Sequence, residues 1–184
     1  MYKTLIRPFL FKLNPESAHQ LTMKMLKIAG SIPFCRSIVR LMFKREHKNL
    51  SREVFGIRFP NPVGLAGGLD KNGECYNELS DFGFGFVEIG SLTAKPQPGN
   101  PKPRLFRVVK DNAIINRMGI NNNGVSEAIK NINSKHPEVI IAGNIAPNSS
   151  SQGEQVAEDY KTAFSLLYDF VDMFVINISC PNVE

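Results

Sequence analysis

The run "VINISCPN" carries Cys180 between two carboxamides, Asn177 and Asn182. A thiol gives up its proton far more readily than an alcohol, so it can serve as a base with modest help. Carboxamides both donate and accept hydrogen bonds, which suits bracketing a polar substrate. Val175 and Ile176 read as a strand that Pro181 ends, placing the thiol at a carboxyl-terminal strand tip. An isolated cysteine is more often a small buried hydrophobe. The position between amides argues here for chemistry.

A second cluster is "GLAGGLDKNGE". Gly67 and Gly68 carry no Cβ and let the backbone approach a flat ligand. Lys71 follows closely enough to set an ammonium beside an electron-rich ring or a carboxylate; the plainer reading is a tight loop with a surface lysine. The cluster is not a GxGxxG fingerprint, and no GxxxxGK[ST] phosphate loop occurs in the chain. A third cluster, "NRMGINNNG", gathers Asn116, Arg117, Asn121, Asn122 and Asn123. Amides at that density fit a ring with alternating C=O and N–H groups, such as a pyrimidine. The same run also reads as a polar turn with an N-cap at Asn122 or Asn123. Asn116 ends an apolar stretch and weighs more than the other asparagines.

Something must hold these clusters together. Strands are predicted near 62–67, 86–90, 139–144 and 172–179, with helices near 73–82, 124–133 and 154–169 between them. Such alternation implies parallel strands joined by right-handed crossovers. A short hairpin is predicted after Val54, and a pair of short strands at "RLFRV" and "AIIN". The four parallel strands end in "GLAGGLDK", "VEIGSLT", "AGNIAPN" and "NISCPN", each polar or glycine-rich. An open doubly wound sheet gathers its site at one switch point, whereas an α/β barrel uses every strand tip. The pattern therefore predicts a TIM (β/α)8 barrel. Eight strands need about 250 residues, and the chain supplies about half of them. Residues 51–184 are read as the first half of the barrel, and residues 1–50 as a helical extension before it.

That extension predicts one helix over "NPESAHQLTMKMLKIAG", with Asn14 as N-cap, Pro15 in the first turn and Gly30 at the end. Ala18, Leu21, Met25 and Ile28 form its apolar stripe. A second helix, "PFCRSIVRLMFKREHK", sets Phe34, Ile38, Leu41 and Met42 apart from its basic residues. The chain's net charge of +5 is uneven. Eleven basic residues in positions 1–52 face only Glu16 and Glu46, a pattern suited to an anionic surface, lipid or nucleic acid, or to a solvated face. Cys35, Cys75 and Cys180 are spaced as neither a disulfide framework nor a metal site, and free thiols suit a reducing cytoplasm. No apolar run is long enough to span a bilayer, and the first residues lack the features of a signal peptide.

In order, "NPVGLAGGLDKNGE", "GFGFVEIGSLT", "PQPGNPKPRLFR", "INRMGINNNG" and "NISCPN" closely resemble the dihydroorotate dehydrogenases, best the membrane-associated, quinone-using class. The resemblance runs from "NPESAH" to the end of the chain. It implies FMN-dependent oxidation of (S)-dihydroorotate to orotate in pyrimidine (UMP) biosynthesis. In that reaction a base takes the C5 proton while a hydride leaves C6 for the flavin. Cys180 falls on the base position. Gly67, Gly68, Leu69, Asp70, Lys71, Ser91, Asn144 and Asn177 fall where the family contacts the flavin. Lys71, Asn116, Arg117, Met118, Gly119, Ile120, Asn177 and Asn182 fall on the substrate, and His19 and Arg107 on the quinone (ubiquinone or menaquinone). The resemblance further implies peripheral attachment through the N-terminal helices to the cytoplasmic face of the cell membrane, with no nucleic acid partner.

Two departures stand out. The quinone-using class has serine at the base position, and Cys180 is what soluble relatives, which use fumarate or NAD, carry there. Ile120 stands where the family commonly has phenylalanine. Half a barrel also lacks the late loops that bind a flavin phosphate. These 184 residues alone are therefore expected to hold FMN weakly or not at all, and to be inactive by themselves. An inert, membrane-binding fragment is the alternative.

Overall fold

The computed structural model describes residues 2–45, 47–132, 139–178 and 180–181. After one irregular helical turn come α1 (Arg7–Lys12), α2 (Pro15–Gly30) and α3 (Pro33–Phe43). Asn14 caps α2 as expected, its side chain accepting from Ser17 N at 2.8 Å, and Pro15 opens the first turn. The docking face differs from the predicted stripe. Ala18 is buried and Met23 and Leu26 pack on the core, while Met25 and Ile28 are exposed.

The next helix, α3, is mounted by its charges. Arg36 and Arg40 both pair with Asp81, a carboxylate only 3% exposed. Phe43 adds a ring contact with Phe82 at 5.2 Å. The apolar side of α3 then faces outward: Phe34 is 73% and Leu41 80% exposed. With Met25 and Ile28 of α2, these residues form an uncovered apolar surface.

The strands begin with a hairpin, β1 (Arg52–Val54) against β2 (Ile57–Phe59), paired Val54 to Ile57. Its two turn residues, Phe55 and Gly56, both have positive φ (53° and 76°), as a two-residue turn matched to strand twist requires. Then β3 (Gly64–Leu65), α4 (Tyr76–Ser80), β4 (Phe86–Leu92), β7 (Ile141–Ile145), α6 (Glu154–Leu167) and β8 (Met173–Ile176) build the parallel layer. Between β4 and β7 lie the antiparallel pair β5 (Leu105–Val108) and β6 (Ala113–Asn116), and α5 (Val125–Asn131).

The parallel sheet has the order β3-β4-β7-β8, all neighbours parallel. Each new strand is added on the same side. A doubly wound sheet would reverse direction at a switch point, so this is part of an α/β barrel. Val87, Ile89, Leu92, Ile141 and Ile145 point from the sheet into the helical layer. There they meet Leu79, Val125, Ala128, Ile132, Ala163 and Leu167, all buried. Each large aliphatic side chain so buried contributes about 1.5–3 kcal/mol. This core fixes where the strand tips lie.

Candidate active site

Pairing between β4 and β7 slips between Ile89 and Leu92. The irregularity sits at Gly90–Ser91, where Gly90 takes φ 102°, and it re-aims the strand end. Asn177, just past β8, donates from Nδ2 to Ser91 Oγ at 2.9 Å. Two strand tips are thereby tied across the intervening β7. Gly68 N donates to Gly90 O, and Gly90 N to Asp70 O, which lock the loop after β3 onto the same tip.

These tips border a cleft of about 570 Å³. Gly67, Gly68, Leu69, Lys71, Ser91, Asn144, Asn177 and Cys180 line it. From the β6 side come Asn116, Met118 and Ile120, and from the helical extension and β5 come His19 and Arg107. Cys180 thus lines the same cavity as Lys71 and Asn116. Lys71 Nζ donates to the Gly68 carbonyl. Burial, then the nearby Arg104 cation, hold the Lys71 ammonium below the ordinary lysine range against the pull of Glu16 and Asp70. His19 is held below the ordinary imidazole value by burial first and by the Lys71 charge second.

Several predicted contacts lie elsewhere. Asp70 is 2% exposed and spends its carboxylate on the amides of Glu74 and Cys75, both at 2.8 Å. It folds the loop that presents Lys71 and does not line this cavity. Arg117 turns away and donates to Pro103 O. Gly119 packs against Asn100, where an added Cβ would come within 2.6 Å of its side chain. Arg107 does line the cavity, but it also donates to Leu13 O and Leu10 O and stacks on Phe11 at 4.6 Å, pinning α1. Asn182 lies outside the described residues. Neither Asn122 nor Asn123 caps α5. Gly124 occupies the cap with φ 82°, and Asn122 Oδ1 accepts from its N–H and from Thr93 N.

Gly67 has a different reason from the one expected. Its missing Cβ is the space taken by Glu88 Oε1, which would lie 2.6 Å from it. Gly68, at φ 96°, has open space where its Cβ would be. Ile120 holds φ 50°, rare for a β-branched residue. Gln97 Nε2 and Asn122 Nδ2 both donate to its carbonyl, which over-determines that conformation. Gly90, Pro15, Leu105 and Ile114 also line the cavity without having been singled out as contacts, and Asn121, named only as one of the amide cluster, joins them. Gly90 carried a signal, a glycine beside the polar end of an apolar strand; Asn121 was hidden among equal neighbours.

Two further cavities adjoin. One of about 660 Å³ shares Pro15, Leu105 and Arg107 and adds Phe11, Phe106 and Val109 beside α1. Another of about 520 Å³ shares His19, Lys71 and Asn121 and is bordered by Lys24 and Lys27.

The sequence model of the family described as Dihydroorotate dehydrogenase matches residues 49–184. The chain belongs to the dihydroorotate dehydrogenase family. A relative from Christiangramia forsetii named "Dihydroorotate dehydrogenase (quinone)" is 50% identical over 182 residues, covering 99% of this chain and 53% of the relative. One of the same name from Coxiella burnetii is 48% identical, covering 96% of this chain and 50% of its own. The crystal structure of the family member from Eimeria tenella, in complex with ferulenol, superposes with a TM-score of 0.78 at 35% identity. It covers 92% of this chain, which corresponds to 45% of the solved one. The chain spans about half the length of the dihydroorotate dehydrogenases it matches.

Proposed function

We propose that the polypeptide of which these residues form the N-terminal half oxidises (S)-dihydroorotate to orotate with FMN and passes the electrons to a quinone, in pyrimidine (UMP) biosynthesis. The observation that carries this reading is the convergence of Cys180, Lys71, Asn116 and Asn177 on one cavity. The residues present fit a flat, polar, ring-shaped cofactor. Gly68 leaves its wall open, and Asn144 and Asn121 each hold a buried side-chain oxygen with no hydrogen-bond partner among the described residues. Gly68, Lys71, Ser91, Asn144 and Asn177 would hold the flavin, which when bound supplies a two-electron acceptor.

The chain's own residues supply the rest. Cys180 takes the C5 proton of the substrate as base. Lys71, half-buried beside the cavity, offsets negative charge where it develops. Asn116 and Asn177 orient the pyrimidine through donor–acceptor pairs. Residues 1–50 act as a quinone-access extension on the cytoplasmic face of the cell membrane. The outward apolar side of α3 and the cavity between α1 and β5 support that role.

The test compares the 184-residue chain with the same chain extended by its natural downstream sequence. The extended protein is expected to purify yellow and to bleach on adding dihydroorotate, and the short chain to stay colourless. An extended protein without flavin, or without bleaching, rejects the reading. Deleting residues 1–50 is expected to remove turnover with ubiquinone or menaquinone analogues and spare flavin bleaching. Turnover with fumarate or NAD instead would assign the soluble acceptor class that Cys180 hints at.

A further inference from the structure

Three loops are joined through one side chain that stands outside the cleft. Gln97, in the loop after β4, does not line the cleft, yet each of its polar atoms is spent on the residues around it. Its backbone exchanges two hydrogen bonds with Asn122, at 3.0 and 3.1 Å. Its Nε2 donates to Gly119 O at 3.2 Å and to Ile120 O at 3.0 Å, which uses both amide protons. Its Oε1 accepts from Asn148 Nδ2 at 3.1 Å and from Ser149 N at 3.0 Å, in the loop after β7. A reversed amide would set its oxygen against two carbonyls, so only this orientation fits. The anchor itself is held from α6. Asn148 is 8% exposed, and its backbone N–H donates to Asp159, itself 7% exposed.

What Gln97 holds is strained. Gly119 and Ile120 take φ 71° and 50° in succession, and the left-handed region is costly for a β-branched side chain. Glycine would adopt it freely at position 120. A strained residue persists where its surroundings over-determine it, and such residues gather at ligand clamps. Ile120 lines the cleft beside Asn116 and Met118. We infer that Gln97 is a positioning residue for substrate binding: it ties the 119–120 turn to the loop after β7 and so sets Ile120 as an apolar wall of the cleft. This role rests on the reading that the cleft takes dihydroorotate, and it names what shapes the substrate's side of it. Carboxamides meet the polar groups of the ring, and the aliphatic side chain limits the space left for it.

The test uses the extended protein and follows flavin bleaching by dihydroorotate in stopped flow, with orotate binding read from the change in flavin absorbance. Gln97→Ala is expected to raise the half-saturating dihydroorotate concentration and the Kd for orotate by about tenfold, the worth of one to two hydrogen bonds. The limiting rate of bleaching is expected to fall far less. Gln97→Glu keeps the size but cannot donate to the two carbonyls, so it is expected to do at least as much harm. Ile120→Gly decides the route. It relieves the backbone and removes the wall, so in that background Gln97→Ala is expected to cost only about twofold. If Gln97→Ala alone fails to retain flavin, recovery on adding Ile120→Gly supports the same coupling, and no recovery overturns it. A wild-type extended protein that dihydroorotate does not bleach overturns the substrate reading itself. Bleaching with half-saturation unchanged in Gln97→Ala or Gln97→Glu, or an equal loss in both backgrounds, overturns the role of Gln97 alone.

Discussion

The sulfur of Cys180 shares a cavity with the Lys71 ammonium and the Asn116 amide, and each residue type has one task there. A cation near the reacting ring helps only if it is pre-placed and dry. Lys71 meets the first condition, since the Gly68 carbonyl holds its nitrogen, and it is half-buried. The base can be tested by exchange. In the extended protein, Cys180→Ala is expected to slow flavin reduction at neutral pH by about 10²–10⁴-fold, the usual worth of a positioned base. Cys180→Ser is expected to retain reduction but to move the rising limb of its pH profile upward, because an alcohol yields its proton less readily. Fast reduction in the alanine variant, read by stopped-flow bleaching, would remove Cys180 from the mechanism.

Among the elements, α3 is the one whose attachment runs against expectation. An amphipathic helix ordinarily buries its apolar stripe, whereas this one is fastened by Arg36 and Arg40 to Asp81. Burial raises the Asp81 carboxyl, but the hydrogen bonds from the two guanidiniums outweigh it and hold it below the ordinary carboxylate range. The linkage sign follows. The unfolded chain binds the proton more tightly, so the docking is fully present above the ordinary carboxylate value. It is lost as pH falls through the depressed one. Asp81→Asn is expected to cost about 2 kcal/mol, since it strands two partly exposed guanidiniums beside a neutral amide. Cleavage between α3 and β1 by a protease is the measurement; equal rates in variant and wild type would reject the clamp. Element order, the hairpin after Val54, the two short strands of residues 105–116 and the Asn14 cap were legible in the sequence, because each depends on local periodicity or turn chemistry. The face on which α2 docks was not, because Met23 and Leu26 meet a core, and Glu16 meets Arg104, built from residues distant in sequence. Likewise the side chains of Asp70 and Arg117 and the backbone of Gly119 serve loop geometry that spacing alone does not reveal.

At the scale of the molecule, the sheet decides the behaviour. Its order leaves β3 and β8 with no further strand beside them among the described residues, and the backbone polar groups of those edges are a template for pairing. Apolar side chains stand along the same rim: Ile176 is 51% and Ile178 84% exposed. A closed barrel has no edges and fills its interior with side chains, so downstream strands would cover both features. The 184-residue chain alone is therefore expected to self-associate at about 10–100 µM, with assemblies that grow with concentration in sedimentation velocity. Ile178→Lys places a charge beside the β8 edge and is expected to shift the distribution toward monomer. Extension by the natural downstream sequence is expected to abolish association entirely, whether or not flavin is bound. The uncovered apolar side of α3 offers a rival cause, and Leu41→Ser separates the two. If that change disperses the short chain while Ile178→Lys does not, the open sheet edge is not what drives association.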